Sequence, residues 1–353
     1  MMNIKEFMEY VAKNVKDYLP PSFENAEIEL KDAYKNNDTV LHGIIIKKEG
    51  ETVTPQIYLD KLYNQYLADG DLDACVGKVA DFRIEAGRPE ITKPDIGFLK
   101  DYELVKEKLM MKICDRETNV ENLDGRVVTL HGDFAATYNI IVDKTDDGIA
   151  TMAIRPEMLE EWDVTVNQLH ADALIADKSR KPTMCDLGDV IFSLENSSFK
   201  MDNFLDGKEH HELSPEAILC LTNADKMQGA SYILHDDIMA KIGEVFGGDY
   251  FVLPSSVHEC LMVPDNGMHE IDALNEMVKD VNDTIVDPEE ILSYKVQHYD
   301  SKAHVLENAK KFEQRRKHEK EHSKGIKGKL AEAKKEVTNK VTKSKHKEAQ
   351  MEM

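Results

Sequence analysis

The sequence predicts an α+β protein of mixed, largely antiparallel sheets partly covered by helices, ending in a basic C-terminal tail that is helical or disordered. Two observations point to the sheets and helices. Apolar residues recur at three- and four-residue steps in some segments and in short runs in others, so helices and strands both form. The two kinds of segment mix without the regular strand–helix–strand order of a doubly wound parallel sheet. A third observation sets off the tail: residues 301–353 hold 16 Lys/Arg and 8 Asp/Glu, a balance of +8, whereas the other 300 residues hold 29 basic and 59 acidic groups, a balance of −30.

The elements follow in order. Ile4, Phe7, Met8, Val11, Val15, Tyr18 and Leu19 share one helical face, and Pro20–Pro21 ends that helix because proline lacks a donor and clashes with the preceding turn. Residues 26–34 and 39–50 read as strands joined by the turn-rich Asn36–Asn37–Asp38, with a possible third strand at 54–60. Two helices follow, one from Leu62 and one carrying Leu72, Cys75, Val76, Val79 and Ala80. Residues 1–86 thus read as a small N-terminal unit, and the glycines and prolines of 87–97 as a linker.

The main domain is expected over 98–300, with strands at 107–114, 126–130, 134–142 and 149–154. Pro156 opens a short helix. Thr165 and Gln168 then form a capping pattern, with Val164 and Leu169 placed as its hydrophobic staple. An exposed connection is expected over about 177–213, with a short element at 189–194. Residues 218–223 and 229–235 read as strands, and 236–246 as a helix stopped by Gly247–Gly248. Residues 272–282 read as helical, and Asp287-Pro288-Glu289-Glu290 as a helix start before 291–299. The tail, 301–353, has few apolar residues, too few to bury a core of its own.

Composition excludes several functions. An acidic body repels nucleic-acid phosphates and anionic membranes, so nucleic acid is a partner only through the tail. Cys75, Cys114, Cys185, Cys220 and Cys260 form no C-x-x-C pair, and read as small buried residues of a reducing compartment. The N-terminus lacks the apolar stretch of a signal peptide, and no run approaches the ~18 apolar residues of a membrane span, so a cytoplasmic, non-membrane protein is expected. There is neither a G-x-G-x-x-G after a strand nor a G-x-x-x-x-G-K-[ST], and no nucleotide or other cofactor is expected.

Two groups of residues remain as candidate sites. In YFVLPSSVHECLMVP (250–264), Ser255 or Ser256 with His258 offers a nucleophile and a base. The competing reading is a hairpin: Pro254 ends the first strand, the serines bond the turn, and His258 and Glu259 point to opposite faces of the second strand. His235, Asp236 and Asp237 place three possible metal ligands together, although neighbours on a helix point apart and an Asp there equally serves as the helix cap.

Residues 36–73 (NNDTVLHGIIIKKEGETVTPQIYLDKLYNQYLADGDLD), 169–174 (LHADAL) and 221–265 resemble the bacterial family called domain of unknown function 5688. The likeness covers roughly residues 1–300. It is most specific in the asparagine-rich turn with the following segment, here T-P-Q-I-Y-L, and in the PSSVHE box. The resemblance implies a soluble bacterial protein and supplies no catalytic residues. The expected function is a non-catalytic protein-binding or regulatory module whose partner is another protein. The alternatives are a hydrolase using Ser255 or Ser256 with His258, and weak nucleic-acid binding through the tail.

Overall fold

The computed structural model describes residues 1–51, 54–86, 97–145, 148–196, 198–208, 210 and 212–318. They form an α+β fold around three antiparallel sheets. The first helix, α1 (Ile4–Asn14), starts at a reciprocal cap: the Asn3 side chain accepts from the Glu6 amide and the Glu6 carboxylate accepts from the Asn3 amide. β1 (Glu27–Tyr34), β2 (Val40–Lys47) and β3 (Gln56–Tyr58) pair in that order. α1, α2 (Asp60–Asp69) and α3 (Leu72–Ala86) supply much of the apolar cover. Phe7, Val11, Ile44, Ile46, Leu59, Val76 and Val79 meet in one cluster there.

After α4 (Tyr102–Lys106), the second sheet is built on a long strand. β4 (Leu109–Asp115) pairs along one edge of β6 (Phe134–Thr145), and β5 (Val128–His131) and β7 (Gly148–Ala153) share the other. The short α5 (Val120–Leu123) precedes β5. α6 (Pro156–Trp162) and α7 (Val166–Lys178) follow, and Thr165 caps α7 by accepting from the Gln168 amide at 3.2 Å.

The third sheet has six strands, in the order β13 (Val305–Asn308), β12 (Gln297–Asp300), β10 (Tyr250–Leu253), β11 (Cys260–Pro264), β9 (Leu219–Asn223), β8 (Pro182–Asp186). Between these strands lie α8 (Leu187–Glu195), α9 (Asp236–Phe246) and α10 (Ile271–Thr284). One apolar cluster joins the second and third sheets through Met111, Tyr138, Leu169, Leu221, Tyr232, Ile242 and Tyr250. A separate cluster of Phe251, Leu253, Val263, Leu274 and Val278 packs α10 on the third sheet. All five cysteines are buried and free. Among the described residues no helix is long and apolar enough to cross a membrane.

The asparagine-rich turn between β1 and β2 ties the N-terminal sheet to the rest. Asn37 and Asp38 both adopt positive φ, 59° and 49°. In this shape the turn reaches two other parts of the chain. The Asn36 and Asn37 side-chain amides both donate to the Ile291 carbonyl, at 2.6 and 2.8 Å, and Asn37 also donates to Pro288 at 3.0 Å. The Asn37 amide donates to the Asn119 side chain, and the Asp38 carboxylate accepts from the amides of Glu121 and Asn122 at the start of α5. Asp38 thus places a negative charge on the free donors of a helix N-terminus.

Several elements depart from the sequence reading. Residues 229–234 form a buried 3₁₀ helix rather than a strand. Gly229 lies against the box: its amide donates to His258, and a Cβ would come within 2.6 Å of that carbonyl. Asp287-Pro288-Glu289-Glu290 is a turn, not a helix start. The chain after it is extended, with the amides of Leu292 and Ser293 donating to Ser255 and Pro254 before β12 begins. The expected exposed connection contains an unexpected edge strand, β8, whose Met184 and Cys185 are buried, and the element expected at 189–194 is α8.

The sheet also continues past residue 300. β13 pairs with β12, residues 309–318 are helical, and the Phe312 ring lies flat on His298 at 3.5 Å. Few apolar residues suffice there because an edge strand is held largely by its backbone ladder. The expected tail beyond residue 318, and the expected linker except Gly97, lie outside the described residues.

Asn37→Ala should destabilise the chain by about 3 kcal/mol in urea denaturation, from a left-handed backbone penalty of ~1 kcal/mol and the loss of side-chain bonds worth ~1 kcal/mol each. Asn37→Gly should cost about 1 kcal/mol less, because glycine adopts the same φ freely. Equal losses would show that the backbone conformation carries none of the effect.

Candidate functional site

The two segments that carry the family likeness meet at residues 288–293. The box Pro254–Glu259 pairs with this segment through Ser256 and Ile291, and the asparagine-rich turn donates to carbonyls of the same stretch. Beside their junction opens a cleft of about 320 Å³. Lys35 and Asn36 of the turn, Lys112 of β4, Arg126, His258 and Glu290 are among its lining.

Strand alternation puts Lys112 in the cleft. On β4, Leu109, Met111 and Ile113 face the main core, so Lys112 and Cys114 face the other way. Lys112 stands opposite Thr137 on β6, which stands opposite Val128 on β5. Arg126 precedes β5 by two residues and extends the same row.

The three cations have neutral partners. Lys112 donates to the Thr151 hydroxyl at 3.1 Å, Arg126 donates to the Asn122 amide oxygen at 2.9 Å, and the Lys35 ammonium lies 4.7 Å from the centre of the Tyr58 ring. Among the described residues none of them forms an ion pair with a carboxylate. Burial pushes Lys112 down to about 8, helped by the positive charges of Arg126, Lys35 and Arg180. Burial, with the nearby Arg155, also lowers Arg126. Cys114, on the same wall, is pushed up to about 12 by burial and is a poor nucleophile there.

His258 is already engaged. Its Nδ1 accepts from the Gln228 amide at 3.2 Å, which places the ring proton on Nε2, 3.3 Å from Glu290 Oε1. The Ser256 hydroxyl accepts from the His258 main-chain amide at 2.9 Å rather than serving the ring. The Ser255 carbonyl accepts from the Leu292 amide. In the box, the Ser256 hydroxyl thus holds backbone, while Ser255 takes part through its main-chain carbonyl. However, β11 starts at Cys260, so His258 and Glu259 lie in the loop before the strand and the expected alternation does not govern them.

The metal candidates are spread apart. His235 is buried with Nε2 3.8 Å from Asp177, Asp237 pairs with Lys178 at 2.7 Å, and Asp236 is exposed at the start of α9. No side chain caps that helix. Among the described residues, the ligand-type groups that converge within 4.8 Å of one another are Asp249, Asp265 and His298 instead.

Sequence reasoning did not single out Lys112 or Arg126. The signal was a lone charge inside the apolar run LMMKIC and an arginine opening RVVTL, but which face each takes depends on register.

Lys112 gives a pH-dependent prediction. Its folded value, about 8, lies below the ~10.4 of an unfolded lysine, so between these pH values the unfolded chain holds more of this proton and stability rises with pH. Below pH 8 the buried charge costs the fold about 3 kcal/mol. Lys112→Met should therefore stabilise the ligand-free protein by about that amount at pH 7, and the gain should fade as pH rises toward 10. Urea titrations of both proteins check this, and a pH-independent difference would refute it.

No curated protein and no solved structure matches the chain. A family model described as a family of unknown function, DUF5688, matches residues 4–301, a span that takes in the asparagine-rich turn, the box and the whole cleft lining. The chain belongs to that family.

Proposed function

We propose that the protein is a non-catalytic binding module whose cleft captures an anionic group, a phosphate or a carboxylate, presented by another protein. One observation carries the reading: Lys35, Lys112 and Arg126 line one cavity of an otherwise acidic body and, among the described residues, pair with no carboxylate. Buried charges are normally paired, because desolvation disfavours them and like charges add to the cost. A bound anion would restore the balance, and would accept hydrogen bonds from the lysine ammoniums and a forked pair from the guanidinium.

The engagement of His258, Ser256 and Cys114 among the described residues supports binding over hydrolysis by a serine or cysteine nucleophile. Both ring nitrogens of His258 have partners, Ser256 is committed to the backbone, and the Cys114 thiol stays protonated. A protein partner is supported by α8, a largely apolar helix that fully buries none of its residues. Ile191, Phe192 and Leu194 are 57, 50 and 72% exposed. Such exposed apolar side chains suit an apolar contact with another protein.

Inorganic phosphate at constant ionic strength should raise the unfolding temperature with the logarithm of its concentration above the dissociation constant, by about 2.7 kcal/mol of stabilisation at 100 times that constant. Lys112→Met and Arg126→Met should lose the effect while remaining folded. Succinate in a parallel titration distinguishes carboxylate from phosphate recognition. No such stabilisation by either anion, or an undiminished effect in both variants, would overturn the proposal.

A further inference from the structure

We infer that Asp249, Asp265 and His298 form a binding site for a divalent transition-metal ion at one end of the third sheet, separate from the cationic cleft. The register brings the three together. Tyr250 pairs with Pro264, so Asp249 and Asp265 stand opposite each other at the mouth of the β10–β11 pair, joined by the Asp265 amide donating to the Asp249 carbonyl at 2.9 Å. Phe251 pairs with His298 on the other neighbour of β10. Side-chain alternation places residues 249, 251, 265 and 298 on the face that α10 and the C-terminal helical segment cover.

Two like charges set opposite each other on one face of a sheet destabilise it unless something answers them. Part of the answer is visible. His298 Nε2 lies 3.0 Å from Asp265 Oδ2, and Asp249 Oδ1 accepts from the Ser301 amide at 2.9 Å.

His298 is built like a ligand. The residue is wholly buried, yet its other ring nitrogen, Nδ1, has no hydrogen-bond partner. Its plane is clamped by the parallel Phe312 ring at 3.5 Å and by the edge of Phe251 at 5.2 Å. Nε2 is the ring nitrogen that faces the carboxylates, and the two phenyl rings fix its direction. A rigid imidazole with two carboxylates is a common transition-metal donor set.

The geometry admits an ion. One ligand atom from each residue lies within 4.8 Å of the others, so a small inward movement brings all three to the ~2.0–2.2 Å at which they would hold an ion. Asp265 also borders a cavity of about 440 Å³, which gives an ion and its waters a route in. His269 lines the same cavity, and its Nε2 is buried without a partner. That nitrogen is a second buried polar atom without a partner, on the wall of this cavity. An imidazole with two carboxylates suits Mn²⁺ or Zn²⁺, whereas Mg²⁺ and Ca²⁺ favour all-oxygen sites.

Metal-free full-length protein titrated with Mn²⁺, with free ion read by electron paramagnetic resonance, tests this. One equivalent should bind above the weak background of the acidic surface, yield to Zn²⁺, and resist excess Mg²⁺. Asp249→Asn and Asp265→Asn should each weaken that equivalent at least ~10-fold. Asp249→Asn serves as the folding control, because it removes a repulsion and should raise the unfolding temperature without metal, while Mn²⁺ should raise that temperature in the unsubstituted protein alone. Binding only at background strength, or binding untouched by both substitutions, would overturn the site.

Discussion

The architecture depends on a turn of three residues, Asn36–Asn37–Asp38. Its two asparagine amides converge on the carbonyl of Ile291, and its aspartate sits on the first turn of α5. Two successive residues accept positive φ to make this possible. The turn holds the N-terminal sheet against both of the others, because Ile291 also bridges to Ser256 of the box and Asn119 hangs from the end of β4 through the Asp115 carbonyl. Short polar side chains suit this task. They tolerate the left-handed region and reach backbone groups over a short distance, so the carbonyls at 288 and 291 are not left unpaired.

The same junction creates the cleft. Lys35 arrives because it precedes the turn, and His258 because the box pairs with the segment that the turn captures. Lys112 and Arg126 come from the second sheet, on the face turned away from its core. The cost of gathering these cations falls on stability, through the buried Lys112, which is pushed well below its ordinary value. Functional sites often keep such unfavourable groups, since a ligand that answers them binds with the energy that the empty fold lacks.

Local chemistry explains why much of the fold was legible. The Thr165 cap and the paired strands around Asn36–Asn37–Asp38 are decided by neighbours within a few positions, whereas α1 already ends at Asn14 and a 3₁₀ turn carries the chain to Tyr18 before the prolines. The box was legible as a turn for the same reason, since Ser256 bonds an amide two residues away. The misreadings arose where distant chain overrode local pattern. Gly229–Leu234 looks like a strand, but it is tied as a 3₁₀ helix under the carbonyls of Val257 and His258. Ile291–Tyr299 follows a helix-start signature, yet it is extended because Pro254 and Ser255 offer it carbonyls.

The sequence alone thus determined the α+β class, the buried state of the five cysteines, the Thr165 cap, the Gly247 stop and the identity of the two signature segments, because each rests on local pattern or short-range hydrogen bonds. Only the tertiary structure decided that these segments touch, that Lys112 faces a cleft with Lys35 and Arg126, that Asp249 and Asp265 oppose each other beside His298, and that the third sheet runs on through Val305–Asn308. Each of these depends on strand register and on pairing between residues far apart in the chain, and a one-residue slip in register would reverse which face a side chain takes.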